Sequence, residues 1–199
     1  MQQSMANAAI IHMASQSPRR AELLRQLGVR FQVVKVHVDE TVRSGEAPAA
    51  CARRLAEAKI EAALDSLGSG ITQPILAADT LVSVDSTILG KPADRTEGLA
   101  MLARLSDRSH QVLSAITLWH DGVKHTALSV SAVKFRAITA EEAVNYWQTG
   151  EPEDKAGAYA IQGRGAVFIE RLEGSYSGVM GLPLFETAAL LRAAGIRIL

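Results

Sequence analysis

The segment Ser15-Gln16-Ser17-Pro18-Arg19-Arg20 sets two hydroxyls and two guanidiniums side by side where an apolar run gives way to a helix. The free N–H groups and the dipole of a helix N-terminus attract anions, and cations in the first turn oppose that dipole. Arg19 and Arg20 therefore make electrostatic sense when a bound anion lies between them and the helix. Phosphate suits arginine's bidentate fork. A solvated basic patch on a surface helix is the competing reading of the same residues.

A second constellation is acidic. Asp39-Glu40 follows one predicted strand and Asp79-Thr80 stands at the end of another. Loops at strand ends carry functional groups in α/β sheets. Carboxylates there can hold Mg²⁺ or Mn²⁺, hard cations that take oxygen ligands and substrate phosphates, or one can serve as a general base. An Asp-Thr at such a place is equally read as a turn or cap. Lys59 is placed on the edge of an Ala-rich helix, away from its apolar face, and Lys91 lies in the Pro-fixed turn Leu89-Gly90-Lys91-Pro92. Each alone is a surface lysine. The small residues of the stretch Asp154 to Gly163 permit close backbone approach to a flat ligand. Gln162 offers a donor and an acceptor together, as reading a base edge requires. A tight chain crossing near the core is the alternative.

Other templates fail. There is no Gly-x-x-x-x-Gly-Lys-Ser/Thr loop, no Gly-x-Gly-x-x-Gly fingerprint and no His-Glu-x-x-His. Gly174-Ser175-Tyr176-Ser177-Gly178 has no Ser at the centre of a nucleophile elbow. The five histidines read as structural or exposed.

The elements that must position these residues alternate between strand and helix types. Ala8 to Ala14 is strand-like, and Ser17-Pro18 opens a helix ended by Gly28. Phe31 to Val38 reads as a strand, and Pro48 to Leu67 as a helix closed by Gly68. Ile75 to Ala78 is an apolar strand, and Leu81 to Ile88 continues as an extended arm turning at Asp85-Ser86. Asp94 with Glu97, and Thr139 with Glu142, form capping-box patterns ahead of two helices. Asp121-Gly122 marks a hairpin between Val112–Trp119 and Val123–Phe135. A strand at Ala166 to Leu172 and a helix from Pro183 to Ala194 complete the chain. The expected class is α/β, shading into α+β: a mixed twisted sheet with flanking helices.

The 199 residues hold 21 Lys+Arg against 21 Asp+Glu. A protein that coats nucleic acid or an anionic membrane carries a basic surplus, which is absent here. Locally the balance breaks: Arg19, Arg20, Arg25 and Arg30 face only Glu22 between His12 and Arg30. With 48% hydrophobic residues the composition is that of a globular chain. No apolar run nears the roughly 20 residues that span a bilayer. Met1 to Ala9 lacks the regions of a secretory signal, and Cys51 is the only cysteine, which together point to a cytoplasmic protein. No repeat or linker marks a boundary, so residues 1–9 read as a flexible tail and 10–199 as one domain.

Taken in order, Ser15-Gln16-Ser17-Pro18-Arg19-Arg20, Glu40, Lys59, Ala78-Asp79-Thr80, Gly90-Lys91-Pro92, Asp154-Lys155-Ala156-Gly157-Ala158-Tyr159, Ile161-Gln162-Gly163 and Gly181-Leu182-Pro183 resemble the motifs of the Maf family of nucleoside triphosphate pyrophosphatases. The likeness runs from about Ile10 to Gly195. It implies a two-lobed fold related to the inosine triphosphate pyrophosphatases, a nucleotide in a central cleft, and homodimers. It further implies hydrolysis of a nucleoside triphosphate to the monophosphate and pyrophosphate with a divalent metal, Mg²⁺ or Mn²⁺.

By the resemblance, Asp79 matches the proton acceptor, and Arg19, Thr80 and Gln162 match the branch that prefers dTTP and UTP. Ser15, Arg19, Arg20, Lys59 and Lys91 are then expected to hold the triphosphate, and Glu40 with Asp79 to approach the metal. Two departures stand out: His12-Met13 replace aliphatic or aromatic residues under the phosphate turn, and Ser177-Gly178 stand where a number of members have Asn. The family's link to cell-division arrest leaves a nucleotide-binding regulator as the rival function. An inosine or xanthosine triphosphate pyrophosphatase conflicts with the Arg19, Thr80, Gln162 set.

Overall fold

All but one of the residues from Ile75 to Val84 are buried, and this stretch is the spine of the molecule, strand β3 (Ile75–Val84). The computed structural model describes residues 10–198, so the expected tail at 1–9 lies outside the described residues. One seven-stranded mixed sheet runs in the order β2-β1-β3-β5-β6-β7, with β4 paired to β3 alone. β1 (Ile10–Met13) is parallel to β2 (Arg30–Val33) and to β3. β4 (Thr87–Leu89), β5 (Ser109–His120), β6 (Val123–Phe135) and β7 (Ile169–Glu173) add antiparallel pairings. The expected mixed α/β architecture is therefore observed.

The turn chemistry is as expected. Asp121 and Gly122 both adopt positive φ, 49° and 80°, as a two-residue type I′ hairpin requires. Asp85 and Ser86 do the same between β3 and β4, at 49° and 61°. Ser17 caps α1 (Pro18–Gln26), its hydroxyl accepting from Arg20 N. Thr139 and Glu142 complete both arms of a capping box at α4 (Ala140–Trp147). At α3 (Arg95–Leu105) the return arm is shifted by one residue, since Glu97 accepts from Ala93 N rather than from Asp94 N.

Two expected strands are shorter than their composition suggests. Phe31–Val38 is a strand only as far as Val33, because β1 ends at Met13 and its carbonyl takes Val34 N as the last bond. Beyond that point the segment has no neighbouring strand to pair with. Ala166–Leu172 begins as a 3₁₀ turn over Arg164–Phe168 and becomes extended only at Ile169.

Period-2 alternation along β3 sorts its side chains between two layers. Ile75, Ala77 and Leu81 pack toward the 20-residue helix α2 (Pro48–Leu67), with Leu55, Ile60 and Ala63. On the other face, Leu76 and Ala78 join Leu24, Ile116 and Leu191, whereas Val82 and Val84 join Leu102, Phe135 and Tyr159. That face thus carries two apolar clusters. Thr80 lies on β3 at the seam between them, with Ser114 opposite it on β5. Two short segments, α5 (Tyr176–Met180) and α6 (Leu184–Ala193), cover the same side.

Candidate active site

Asp79 does not stand at a strand end, as its sequence context suggests, but in the middle of β3. It reaches open space because the sheet forks beside it. β1 pairs with β3 only up to Leu76, and β4 begins pairing at Val82, so no strand flanks Ala77–Leu81 on that side. Main-chain alternation then sends Asp79 toward α2 and Thr80 toward α5. The fork opens into a cleft of about 780 Å³. Ser15, Arg19, Arg20, Glu40, Lys59, Asp79, Thr80, Lys91 and Gln162 all line it.

Lys59 requires a correction. It lies within the buried face of α2, one helical turn from Leu55 and Ala63, and is only 8% exposed. A lysine buried among apolar residues needs anionic partners. Its Nζ donates to Asp79 Oδ1 at 2.6 Å and sits 2.8 Å from Glu40 Oε1. Lys91 Nζ stands 3.8 Å from Glu40 Oε2. Burial alone would raise the Glu40 carboxyl, but the hydrogen bond and charge of Lys59, followed by Lys91 and Arg20, bring it below the usual range.

Arg20 also departs from a freely presented phosphate ligand. Its Nε donates to Gly181 O at 2.8 Å, Nη1 to Ser15 Oγ at 3.3 Å and Nη2 to Thr80 Oγ1 at 3.2 Å. Burial, the largest influence, lowers its pKa; Asp79 opposes that and Arg19 adds to it. The guanidinium ties the phosphate turn to β3 and α5 while its charge faces the cleft. Ser114, absent from the sequence analysis, completes this network. Its hydroxyl donates to Gly178 O at 2.6 Å and lies 2.8 Å from Thr80 Oγ1. With the Ser114 proton committed, the Thr80 hydroxyl donates to Ser114 and accepts from Arg20 Nη2. Ser114 and Thr117, the two hydroxyls inside the apolar run Val112–Leu118, were the available sequence signal.

Arg19 crosses the cleft mouth to Asp154, 3.3 Å away, and Lys155 holds the same carboxylate. Five cationic and three anionic side chains line the cleft: Arg19, Arg20, Lys59, Lys91 and Lys155 against Glu40, Asp79 and Asp154. The surplus favours an anionic ligand. Among the described residues no group of three or more His, Cys, Asp or Glu is placed to hold a metal ion. Mg²⁺-type binding needs only one or two carboxylates plus substrate phosphates. Glu40 and Asp79 meet that requirement, and the Lys59 ammonium already occupies the point between them as a cation.

Beneath the Gln162 segment, His110 is 2% exposed, and its Nε2 lies 2.8 Å from the Tyr159 hydroxyl. Its ring meets Phe135 and Tyr159 edge-on. Burial lowers the His110 pKa from 6.5 to about 4. The unfolded chain therefore takes up a proton near pH 6.5 that the folded chain refuses until about pH 4, and stability falls as pH falls through that window. The full shift is on the order of 3 kcal/mol. His110→Gln, which keeps a donor near Tyr159, should flatten this part of the urea-midpoint profile between pH 6.5 and 4. A variant profile parallel to the native one would refute the assignment.

A phosphate turn, paired carboxylates and a lysine cluster in the fork of a mixed sheet define a nucleotide-type α/β site. The family model described as "Maf-like protein" matches residues 10–194, and the chain belongs to the Maf family. It is 53% identical over 197 residues to a protein of Burkholderia orbicola named dTTP/UTP pyrophosphatase, covering 94% of each chain. It is 50% identical over 192 residues to one of Methylobacillus flagellatus with the same name, covering 96% of each. A third so named, from Cupriavidus metallidurans, is 50% identical over 196 residues, covering 94% of this chain and 98% of that one. The Staphylococcus aureus Ham1 protein overlaps 63% of this chain and 71% of its own at 16% identity and a TM-score of 0.45.

Proposed function

We propose that this protein is a dTTP/UTP pyrophosphatase, converting the triphosphate to the nucleoside monophosphate and pyrophosphate. The observation that carries this is the convergence of all nine expected residues, from six separate segments of the chain, on one cleft. The names of relatives at about half identity over nearly the full length support the substrate class.

In this reading Ser15, Arg19, Arg20 and Lys91 receive the phosphates. Lys59 engages Asp79 Oδ1, which leaves Oδ2 to take a proton from water. The water oxygen bonds to the α-phosphorus, the bridging oxygen leaves with pyrophosphate, and the proton stays on Asp79. Phosphoryl chemistry rests on positioning and charge neutralisation, which this cluster of fixed cations supplies. Glu40 and Asp79 would hold Mg²⁺ or Mn²⁺, which when bound adds charge neutralisation at the leaving phosphates. We further infer a homodimer, on the family resemblance, and a cytoplasmic protein, on its single cysteine. No helix among the described residues is long and apolar enough to cross a membrane.

The test is a panel of nucleoside triphosphates, methylated ones included, assayed for pyrophosphate release with each metal. Turnover of UTP and dTTP above purine nucleotides is expected. Binding without products would favour the regulatory alternative. Gln162 is exposed in the cleft and presents both a donor and an acceptor to the uracil or thymine edge, O4 and N3–H. Gln162→Glu, an acceptor-only group, should lower kcat/KM for UTP and dTTP by about tenfold or more, chiefly through KM. Unchanged kinetics would move base reading elsewhere.

A further inference from the structure

Glu151 lies outside every motif assigned above, yet its carboxylate sits inside the loop that carries Gln162. Oε1 accepts from the Tyr146 hydroxyl at 2.6 Å and from Gly165 N at 3.0 Å, and Oε2 accepts from Arg164 N at 2.9 Å. Tyr146, itself buried on α4, accepts in turn from Ala160 N at 3.1 Å. One carboxylate thus gathers, directly or through one phenol, main-chain N–H groups on both sides of Gln162.

The glycines show how closely the loop is wrapped. A Cβ at Gly163 would overlap the Glu151 carboxylate, and one at Gly165 would lie 2.6 Å from the Tyr146 hydroxyl. Close approach, not φ, sets both positions: Gly163 passes against the Glu151 carboxylate and Gly165 against the Tyr146 phenol and the Ala160 backbone. Burial would raise the Glu151 carboxyl, but the Tyr146 hydroxyl and the two N–H groups outweigh it and hold it below the usual range. The carboxylate therefore stays charged, and charge-assisted bonds to N–H groups are the stronger kind. Gln162 itself is exposed, so the loop backbone is what fixes its place.

We propose that Glu151 is a positioning residue for base recognition, pinning residues 160–165 so that the Gln162 amide meets the pyrimidine edge at a fixed height above the phosphate site. This rests on the pyrophosphatase reading for its substrate, though the pinning itself does not. The side chains assigned to the phosphates, Ser15, Arg19, Arg20 and Lys91, share no hydrogen bond with the Glu151 carboxylate, whose partners are Tyr146, Arg164 N and Gly165 N. Loss of that carboxylate should therefore separate base reading from phosphate binding.

Glu151→Gln presents an amide NH₂ to main-chain donors that need an acceptor, while leaving volume unchanged. The expected result is a KM for UTP and dTTP raised about tenfold or more, with kcat within about threefold, because misplacing a group by about 1 Å can cost 10²-fold. The UTP-to-CTP ratio of kcat/KM should fall by a similar factor, and inhibition by inorganic pyrophosphate should stay within about twofold. Tyr146→Phe removes only the link to Ala160 and should give a smaller effect of the same sign. Amide hydrogen exchange at Ala160, Arg164 and Gly165 should accelerate in Glu151→Gln without any ligand. Unchanged exchange there, or an intact UTP-to-CTP ratio with a lowered kcat, would overturn the proposal. Native protein that releases no pyrophosphate from any pyrimidine nucleotide would instead overturn the function on which the substrate rests, and the exchange measurement would still decide the pinning.

Discussion

Asp79→Asn should leave the fold intact and lower pyrophosphate release by about 10²–10⁴-fold, the usual contribution of a general base. The substitution keeps shape and an oxygen acceptor for Lys59, so the 2.6 Å contact survives as a neutral–cation hydrogen bond. What it removes is the capacity to take a proton from the attacking water and half of the anionic pair facing Lys59. The loss should appear in kcat with KM for the nucleotide little changed, because phosphate binding rests on the arginines and on Lys91. The thermal midpoint, measured alongside, separates chemistry from unfolding. Retention of more than about a tenth of the native rate would remove Asp79 from the central role.

Lys59→Met should be the most damaging single change to stability among the cleft residues. Asp79 is 5% exposed, and without the ammonium it is left as an anion on β3 packed against the apolar face of α2. Removing one partner of a buried pair typically costs about 3–5 kcal/mol, discounted here because Glu40 is half exposed and can be solvated. A urea-midpoint loss of about 3 kcal/mol at neutral pH is expected. The second consequence concerns the metal. With the ammonium gone, the place between Glu40 and Asp79 is free for a divalent cation, so Mg²⁺ or Mn²⁺ should raise the thermal midpoint of Lys59→Met more than that of the native protein. Equal increments would mean that Lys59 does not compete for that place. Turnover should fall as well, since Asp79 loses the group that orients it.

Ser114 and Glu151 share a property that Asp79 does not have: they act only through other residues. Ser114 fixes the Thr80 hydroxyl through its own donation to Gly178 O. Glu151 fixes a loop through bonds that skip from residue 146 to residue 165. Such partners are far apart in the chain, and no spacing rule joins them. By contrast, the Asp94 cap, the Thr139 capping box, the two type I′ turns and the Ser17-Pro18 helix start depend on neighbours within four residues. These were all legible.

The sequence by itself determined the alternation of strand and helix, the turns, the mixed-sheet class and, through its ordered motifs, which residues belong to one family site. Local propensity and hydrophobic period carry that information, because each depends on a few adjacent side chains. Only the tertiary structure decided why those residues can work together. Asp79 reads as a strand-end residue and is a mid-strand one, buried yet opening on the cleft because β1 stops and β4 starts on either side of it. Lys59 reads as a surface lysine and is a buried one, because helical period places it on the apolar face and only the carboxylates of two distant segments make that tolerable. Where strands end relative to one another, and which charges meet across the gap, are set by pairing between segments tens of residues apart.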